Sequence, residues 1–204
     1  MPLRNEPVQA RSTARLATLL DAAAAIVDEV GYERLTTAMV SERAGASIGT
    51  VYRYFPDRIA LLQALGARNL ERVLTRAGDA VLDPQHGDWA AALGAAFEVL
   101  VDAFRTEPGF RGLRVGDVID LRPSPHERRY NSLVADRLLD GVIERFAATD
   151  SPELRFAFET SIEISDALAA RAFATNPQGD SAFLQKSADV VYGILAPHLG
   201  GVAR

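Results

Sequence analysis

The sequence predicts an all-α protein of about nine helices in two groups. Three observations carry that reading. Apolar residues recur at three- and four-residue steps along almost the whole chain, the spacing that lines one face of a helix. No stretch alternates apolar and polar residues as a half-buried strand does. Clusters of turn residues, above all Asp83-Pro84-Gln85-His86-Gly87-Asp88, separate the helical runs. At 204 residues the chain can bury a sizeable core in one or two domains.

Leu16, Leu19, Ala23, Val27 and Val30 place one amphipathic helix over Ser12 to Val30, with Gly31 as its C-terminal cap. Thr37 to Ala44 makes a second helix, stopped at Gly45. Ser47 is a fitting N-cap for a third, Ile48 to Tyr54. Pro56 and Asp57 open a fourth, from Arg58 to about Val81. After the linker, Trp89 to Arg105 is helical, with Leu93, Phe97, Leu100 and Phe104 on one face. Pro108 to Arg114 is a short helix, and Gly116 to Arg122 reads equally as a strand or a helical turn. Ser124-Pro125-His126-Glu127 starts a helix reaching about Ala148, with Pro at the first position and Glu placed for a capping box. Ser151-Pro152 starts the next, to about Thr175, and the last spans about Asp180 to Leu199.

Charge divides the chain unevenly. The overall net charge is −5, yet residues 1–76 carry +2 and residues 77–204 carry −7. The asymmetry places any contact with a polyanion at the N-terminal end. We therefore expect a reading domain over 1–76, which includes the start of a connecting helix, and a second helical domain over 77–204. No apolar run is long enough to span a membrane, and MPLRNEPVQARSTAR has no signal-peptide core, so a cytoplasmic location is expected. The absence of cysteine excludes disulfides and thiolate metal sites.

The most informative stretch runs from Leu35 to Leu65. Two short helices flank a glycine turn and a third begins directly after, the layout of a helix-turn-helix whose second helix enters the DNA major groove. Val40, Ala44, Val51, Phe55 and Leu61 fall where a three-helix core needs them. Gly49 leaves the front of the second helix bare. Thr37, Ser47 and Thr50 sit at helix N-termini, where hydroxyls and free N–H groups suit a phosphate. Tyr52, Tyr54 and Arg53 carry longer polar groups that reach a phosphate or base, Arg53 being suited to a guanine edge. Arg58 stands in the first turn of the next helix, where a cation opposes the helix dipole unless it meets an anion.

These residues resemble the DNA-binding domain of the TetR family of bacterial regulators. The resemblance rests on Gly31-Tyr32, Thr36-Thr37, Ala44-Gly45, Gly49-Thr50-Val51-Tyr52-Arg53-Tyr54-Phe55 and Arg58, and covers about residues 12–75. Three positions depart from the family pattern: Ser41 replaces a usual Ala, Ile48 stands where many members have Lys or Arg, and Ala38 where some have a base-reading Arg. Base readout then leans on Ile48, Tyr52 and Arg53. The resemblance implies a homodimeric repressor that binds palindromic operator DNA and is released by a small-molecule effector. An activator of the same family, or a helical dimer that binds another protein without reading DNA, are the alternatives.

Residues 82–204 carry no catalytic signature. The three histidines lie far apart, and no phosphate loop or nucleophile elbow is present, so neither enzyme activity, metal nor cofactor is expected. The implied effector pocket has candidate walls in Trp89, Phe97, Phe104, Phe110, Leu113 and Val118. Polar candidates are Arg114, Asp117, Glu159 and Glu163, with Thr160, Ser161, Ser165 and Asp166 on the same helix as the glutamates. The last two helices have the look of a dimer surface. Leu168 and Ala172 form a second apolar face on one, and Phe183, Ser187, Val190 and Ile194 a stripe on the other, so that two helices from each subunit make a four-helix bundle.

Overall fold

The computed structural model describes residues 6–115 and 130–201. Among these residues it holds nine α-helices, one 3-10 turn and no strand. The helices are α1 (Glu6–Val30), α2 (Thr37–Arg43), α3 (Ile48–Tyr54), α4 (Arg58–Leu82), α5 (Trp89–Thr106), α6 (Phe110–Val115), α7 (Tyr130–Phe146), α8 (Pro152–Phe173) and α9 (Ser181–Leu199). The 3-10 turn is Tyr32–Arg34, directly after α1.

Their boundaries follow from capping chemistry. Side-chain oxygens of Thr36, Ser47, Asp88, Ser151 and Asp180 accept hydrogen bonds from backbone N–H groups in the first turns of α2, α3, α5, α8 and α9. Asp57 does the same for α4, accepting from the Ala60 N–H at 2.8 Å. Gly31 N–H closes α1 by donating to the Val27 carbonyl at 3.0 Å. Helix α1 begins at Glu6, earlier than the Ser12 expected from its apolar stripe, because residues 10–15 are exposed and carry no apolar face to read. The expected helix start at Ser124 and the ambiguous stretch from Gly116 to Arg122 lie outside the described residues.

The chain forms two compact units. One takes in the chain up to Asn69 and returns from Pro108; the other takes Leu70–Glu107 and the chain from Tyr130 onward. Helix α6, expected in the second group, packs in the first unit. The physical reason is packing that no periodicity announces: Leu113 of α6 is buried with Leu19, Ile26, Val40, Val51, Leu61 and Leu65 in the first core.

Tight backbone approach holds α6 in place. Gly109 has φ 76°, a conformation that strains any residue with a side chain, and a Cβ there would meet Ala24 Cα at 3.2 Å. Its N–H donates to Asp28 Oδ1 at 3.0 Å, while buried Asn69 Nδ2 donates to the Pro108 carbonyl at 3.2 Å. The second unit closes around Val81, Trp89, Leu139, Val142, Leu154, Phe158 and Leu195. Trp89 stacks on Tyr192, with ring centroids 5.4 Å apart, and its indole N–H donates to the Gly200 carbonyl at 2.9 Å. Arg145 ties the linker down by donating to the carbonyls of Val81 and His86.

Gly109→Ala combines a forced positive φ with a backbone contact that cannot relax, and is expected to cost about 1–3 kcal/mol of stability, measured by urea denaturation followed by helical circular dichroism.

Candidate functional site

Helix α3 divides its seven residues between the fold and the solvent. Val51 is fully buried, and Phe55 just beyond the helix packs beside it in the first core. On the other side Ile48 is 44% and Tyr52 52% exposed, and Gly49 and Arg53 are exposed between them. The turn before α3 is built by Gly45, at φ 55°, and by Ser41, whose hydroxyl donates to the Ala46 carbonyl at 2.6 Å. Ser41, read from the sequence only as a tolerated substitute for alanine, thus pins the turn that aims α3. A serine four residues before a glycine turn is the signal that could have found it.

The polar residues expected at the interface fall into two sets. Thr50 donates its backbone N–H to Ser47 Oγ at 3.1 Å, and the two hydroxyls lie 2.9 Å apart at the start of α3. Thr37 donates its hydroxyl to the Tyr52 oxygen at 3.2 Å, which brings the first turn of α2 beside the exposed ring of α3. Thr37, Ser47, Ile48, Gly49, Thr50, Tyr52 and Arg53 therefore form one surface. Among the described residues a Cβ on Gly49 would meet only Ser47 Oγ, at 3.9 Å, so none of them requires glycine there.

Tyr54 and Arg58 face other duties. The Tyr54 hydroxyl lies 3.1 Å from Ser12 Oγ and donates to the Ser12 carbonyl at 3.4 Å, bracing α3 on α1. The Arg58 guanidinium donates to the carbonyls of Glu33 and Tyr32 at 2.6 and 3.5 Å. The cation that opposes the dipole of α4 is thus balanced by the carbonyl end of the 3-10 turn, where the sequence reading invoked a phosphate.

Other cations of this unit are paired as well. Arg43 holds Glu29 through two bonds of 2.5 and 2.6 Å, and Arg68 meets Asp21 at 2.6 Å. Hydrogen bonding from Arg43 keeps the Glu29 carboxyl below its ordinary range. Arg53, whose guanidinium carbon lies 5.4 Å from the Tyr54 ring centre, is the long cation that α3 itself presents.

The second unit contains a cavity of about 470 Å³. Helices α4, α5, α7, α8 and α9 all contribute to its wall, which is mainly apolar. Trp89 and Phe97 line it, as the sequence reading expected. Several other candidates lie elsewhere. Phe104 is buried against Phe173, centroids 4.6 Å apart and rings nearly parallel. Phe110, Leu113 and Arg114 belong to α6 and hence to the first unit. Glu159 accepts from the Ser132 hydroxyl at 2.8 Å and Glu163 from Asn131 Nδ2 at 3.0 Å, both carboxylates being exposed and outside the cavity wall. Asp117 and Val118 lie outside the described residues.

Two residues expected at a dimer surface are interior. Ala172 is buried, and Ser187 is wholly buried and lines the cavity. Leu168, Phe183, Val190 and Ile194 keep partial exposure on α8 and α9. Among the described residues no helix is long and apolar enough to cross a membrane, and no group of three or more His, Asp or Glu side chains is placed to hold a metal.

Two family models match the chain. A family model for bacterial regulatory proteins of the tetR family matches residues 19–65, and one for the tetracycline repressor-like C-terminal domain matches residues 87–199. The HTH-type transcriptional repressor KstR of Rhodococcus jostii is 43% identical over 58 residues, 28% of this chain and 27% of that protein, so this match spans about a quarter of the relative. The HTH-type transcriptional regulator BetI of Burkholderia mallei is 28% identical over 193 residues, covering 91% of this chain and 95% of the relative. The crystal structure of a TetR-family transcriptional regulator from Streptomyces coelicolor superposes with a TM-score of 0.75 at 30% identity, covering 91% of this chain and 99% of the other.

Arg58→Ala removes the donor to Glu33 and Tyr32 and is expected to lower stability by roughly 1 kcal/mol in urea denaturation. The salt dependence of DNA binding should stay unchanged; a slope smaller by about 1 per subunit would put this guanidinium on a phosphate.

Proposed function

The chain belongs to the TetR family of bacterial regulatory proteins; on that premise we propose that it is a DNA-binding transcriptional regulator, a homodimeric repressor released from a palindromic operator by a small molecule. One observation carries the DNA half of this reading. The outward face of α3 presents Ile48, Gly49, Tyr52 and Arg53, none of which the core of the first unit needs. Apolar Ile48 suits a thymine methyl, Arg53 a guanine edge or phosphate, and bare Gly49 lets the helix backbone approach a base pair. Hydroxyls of Thr37, Ser47 and Thr50 suit the phosphates on either side, which fix register without reading sequence.

A dimer follows from the reading of a palindrome, since a two-fold axis repeats the half-site about one DNA turn, or ~34 Å, away. Half-exposed Leu168 on α8 and Phe183, Val190 and Ile194 on α9 are the residues to which we assign the contact between subunits. Repression is the sense favoured by the name of the KstR relative, itself a transcriptional repressor.

Release requires that the effector prefer one conformation over another. Chain continuity supplies a route. Val73, Leu74 and Ala77 line the cavity and lie on the same helix, α4, whose earlier turns bury Leu61, Leu62 and Leu65 in the first core. Helix α5, also in the cavity wall, continues through Glu107 into α6. A molecule that moves α4 or α5 thus acts on helices covalently continuous with the reading unit.

Selection of bound sites from random DNA with purified protein tests the whole reading. A pseudo-palindrome with half-sites one turn apart is expected; enrichment of none would favour a helical dimer that binds protein. Arg53→Ala should cost about 1–3 kcal/mol with relaxed preference at one position, whereas uniform weakening would make Arg53 a phosphate contact. Gly49→Ala separates function from folding. It should leave thermal stability unchanged or raised by up to about 1 kcal/mol, as alanine favours helix over glycine, while lowering operator affinity in a gel-shift titration.

A further inference from the structure

The first turns of α1 carry cations that the core does not use. Residues 10–15 are all exposed, so this part of the helix buries nothing in the first unit. It also precedes the stretch matched by the tetR family model, which begins at residue 19. Two arginines stand there, Arg11 and Arg15. Four residues apart on a helix, they share one face. Among the described residues neither guanidinium makes an ion pair or a hydrogen bond, whereas Arg43 and Arg68 are held by carboxylates and Arg58 by two carbonyls.

A tether fixes these turns beside the reading helix. The Tyr54 hydroxyl lies 3.1 Å from Ser12 Oγ and donates to the Ser12 carbonyl at 3.4 Å. Ser12 follows Arg11 directly, and Arg15 lies about 4.5 Å further along the axis of α1, within the reach of a long side chain. Elsewhere on α3, Tyr52 meets the Thr37 hydroxyl at 3.2 Å. Residues two apart on a helix point about 200° apart, so Tyr52 and Tyr54 leave α3 in opposite directions. Helix α3 is thus flanked by α2 at Tyr52 and by α1 at Tyr54, with exposed Gly49 and Arg53 between them. A helix seated in the major groove has a phosphate strand along each side. Thr37 offers a hydroxyl to one strand, and Arg11 and Arg15 offer charge to the other.

We propose that the first turns of α1 belong to the DNA interface, with Arg11 and Arg15 as contacts to the phosphate strand on the Tyr54 side of α3. Contacts of this kind carry affinity and fix position without reading bases. They add charge to a recognition helix whose own cation is Arg53. This assignment presupposes that α3 reads DNA, and the test keeps the two apart.

The full chain is titrated by fluorescence anisotropy at several salt concentrations. Two probes are used, the duplex enriched from random DNA and an unrelated duplex of equal length. R11A and R15A place alanine, a strong helix former, at exposed helical positions, so folding is retained, as circular dichroism verifies. Each variant is expected to bind both duplexes roughly tenfold more weakly. The salt slope should fall by about 1 per subunit in each, and by about 2 in the double variant. Base preference within the enriched site should stay as it was. R155A removes the same charge from an exposed arginine of the second unit and should leave the slope unchanged, which separates direct contact from long-range attraction. An unaltered slope in R11A/R15A overturns the inference, and so does a fall no larger than that of R155A. Altered base preference at one position overturns it too, since the arginine would then read a base edge. Enrichment of no site by the unaltered chain sinks the reading of α3 and the inference with it; an enriched site with an unaltered slope sinks the inference alone.

Discussion

Helix α4 has to bury its apolar residues in two different cores. Leu61, Leu62 and Leu65 belong to the first, and Ala77 and Val81 to the second, all within one helix from Arg58 to Leu82. Between them sits Asn69, a buried amide that donates to the Pro108 carbonyl. That carbonyl opens the segment into α6, whose Gly109 lies against α1 with no room for a side chain. The reading unit is therefore a three-helix motif together with a returning segment, held by contacts that tolerate little displacement because packed backbones do not compress.

The same economy of contacts governs the reading surface. Three of the cations that a count of charge would offer to DNA are already engaged: Arg43 with Glu29, Arg68 with Asp21, Arg58 with two carbonyls. Exposed pairs of this kind contribute little to stability. Their effect on recognition is larger, because each carboxylate that holds a guanidinium takes charge away from a phosphate contact. This leaves α3 with one cation, an isoleucine and two tyrosines, of which Tyr54 is turned toward Ser12. The surface proposed to read DNA is narrow, and its selectivity rests on shape and a few side chains rather than on field strength.

In the second unit polar groups appear where the apolar pattern gives no reason for them. Ser161, Ser165 and Ser187 are buried among helices that could have packed with alanine at each position. Two of these hydroxyls find no partner among the described residues. Such groups oppose folding, and their presence around a cavity is the expected mark of a site completed from outside.

Much of this was legible in the sequence, since helices leave their signature in residues three and four apart and caps in single residues. The nine helical segments, the caps at Ser47, Asp57 and Ser151, the glycine turn and the buried Val40, Val51, Phe55 and Leu61 all follow from local rules. What periodicity does not encode is the partner that covers an apolar face. Ala172 and Ser187 read as an outer stripe and are interior; Leu113 read as a pocket wall and packs in the other unit; Phe104 met Phe173 instead of the cavity. Arg58 and Tyr54 read as free polar groups, yet their acceptors come from turns 25 and 42 residues away. A local pattern determines that a residue is helical and which side of the helix is apolar. Only the tertiary structure decides what that side meets, because the neighbours are set by chain segments tens of residues apart and by the backbone approach that glycines such as Gly109 permit.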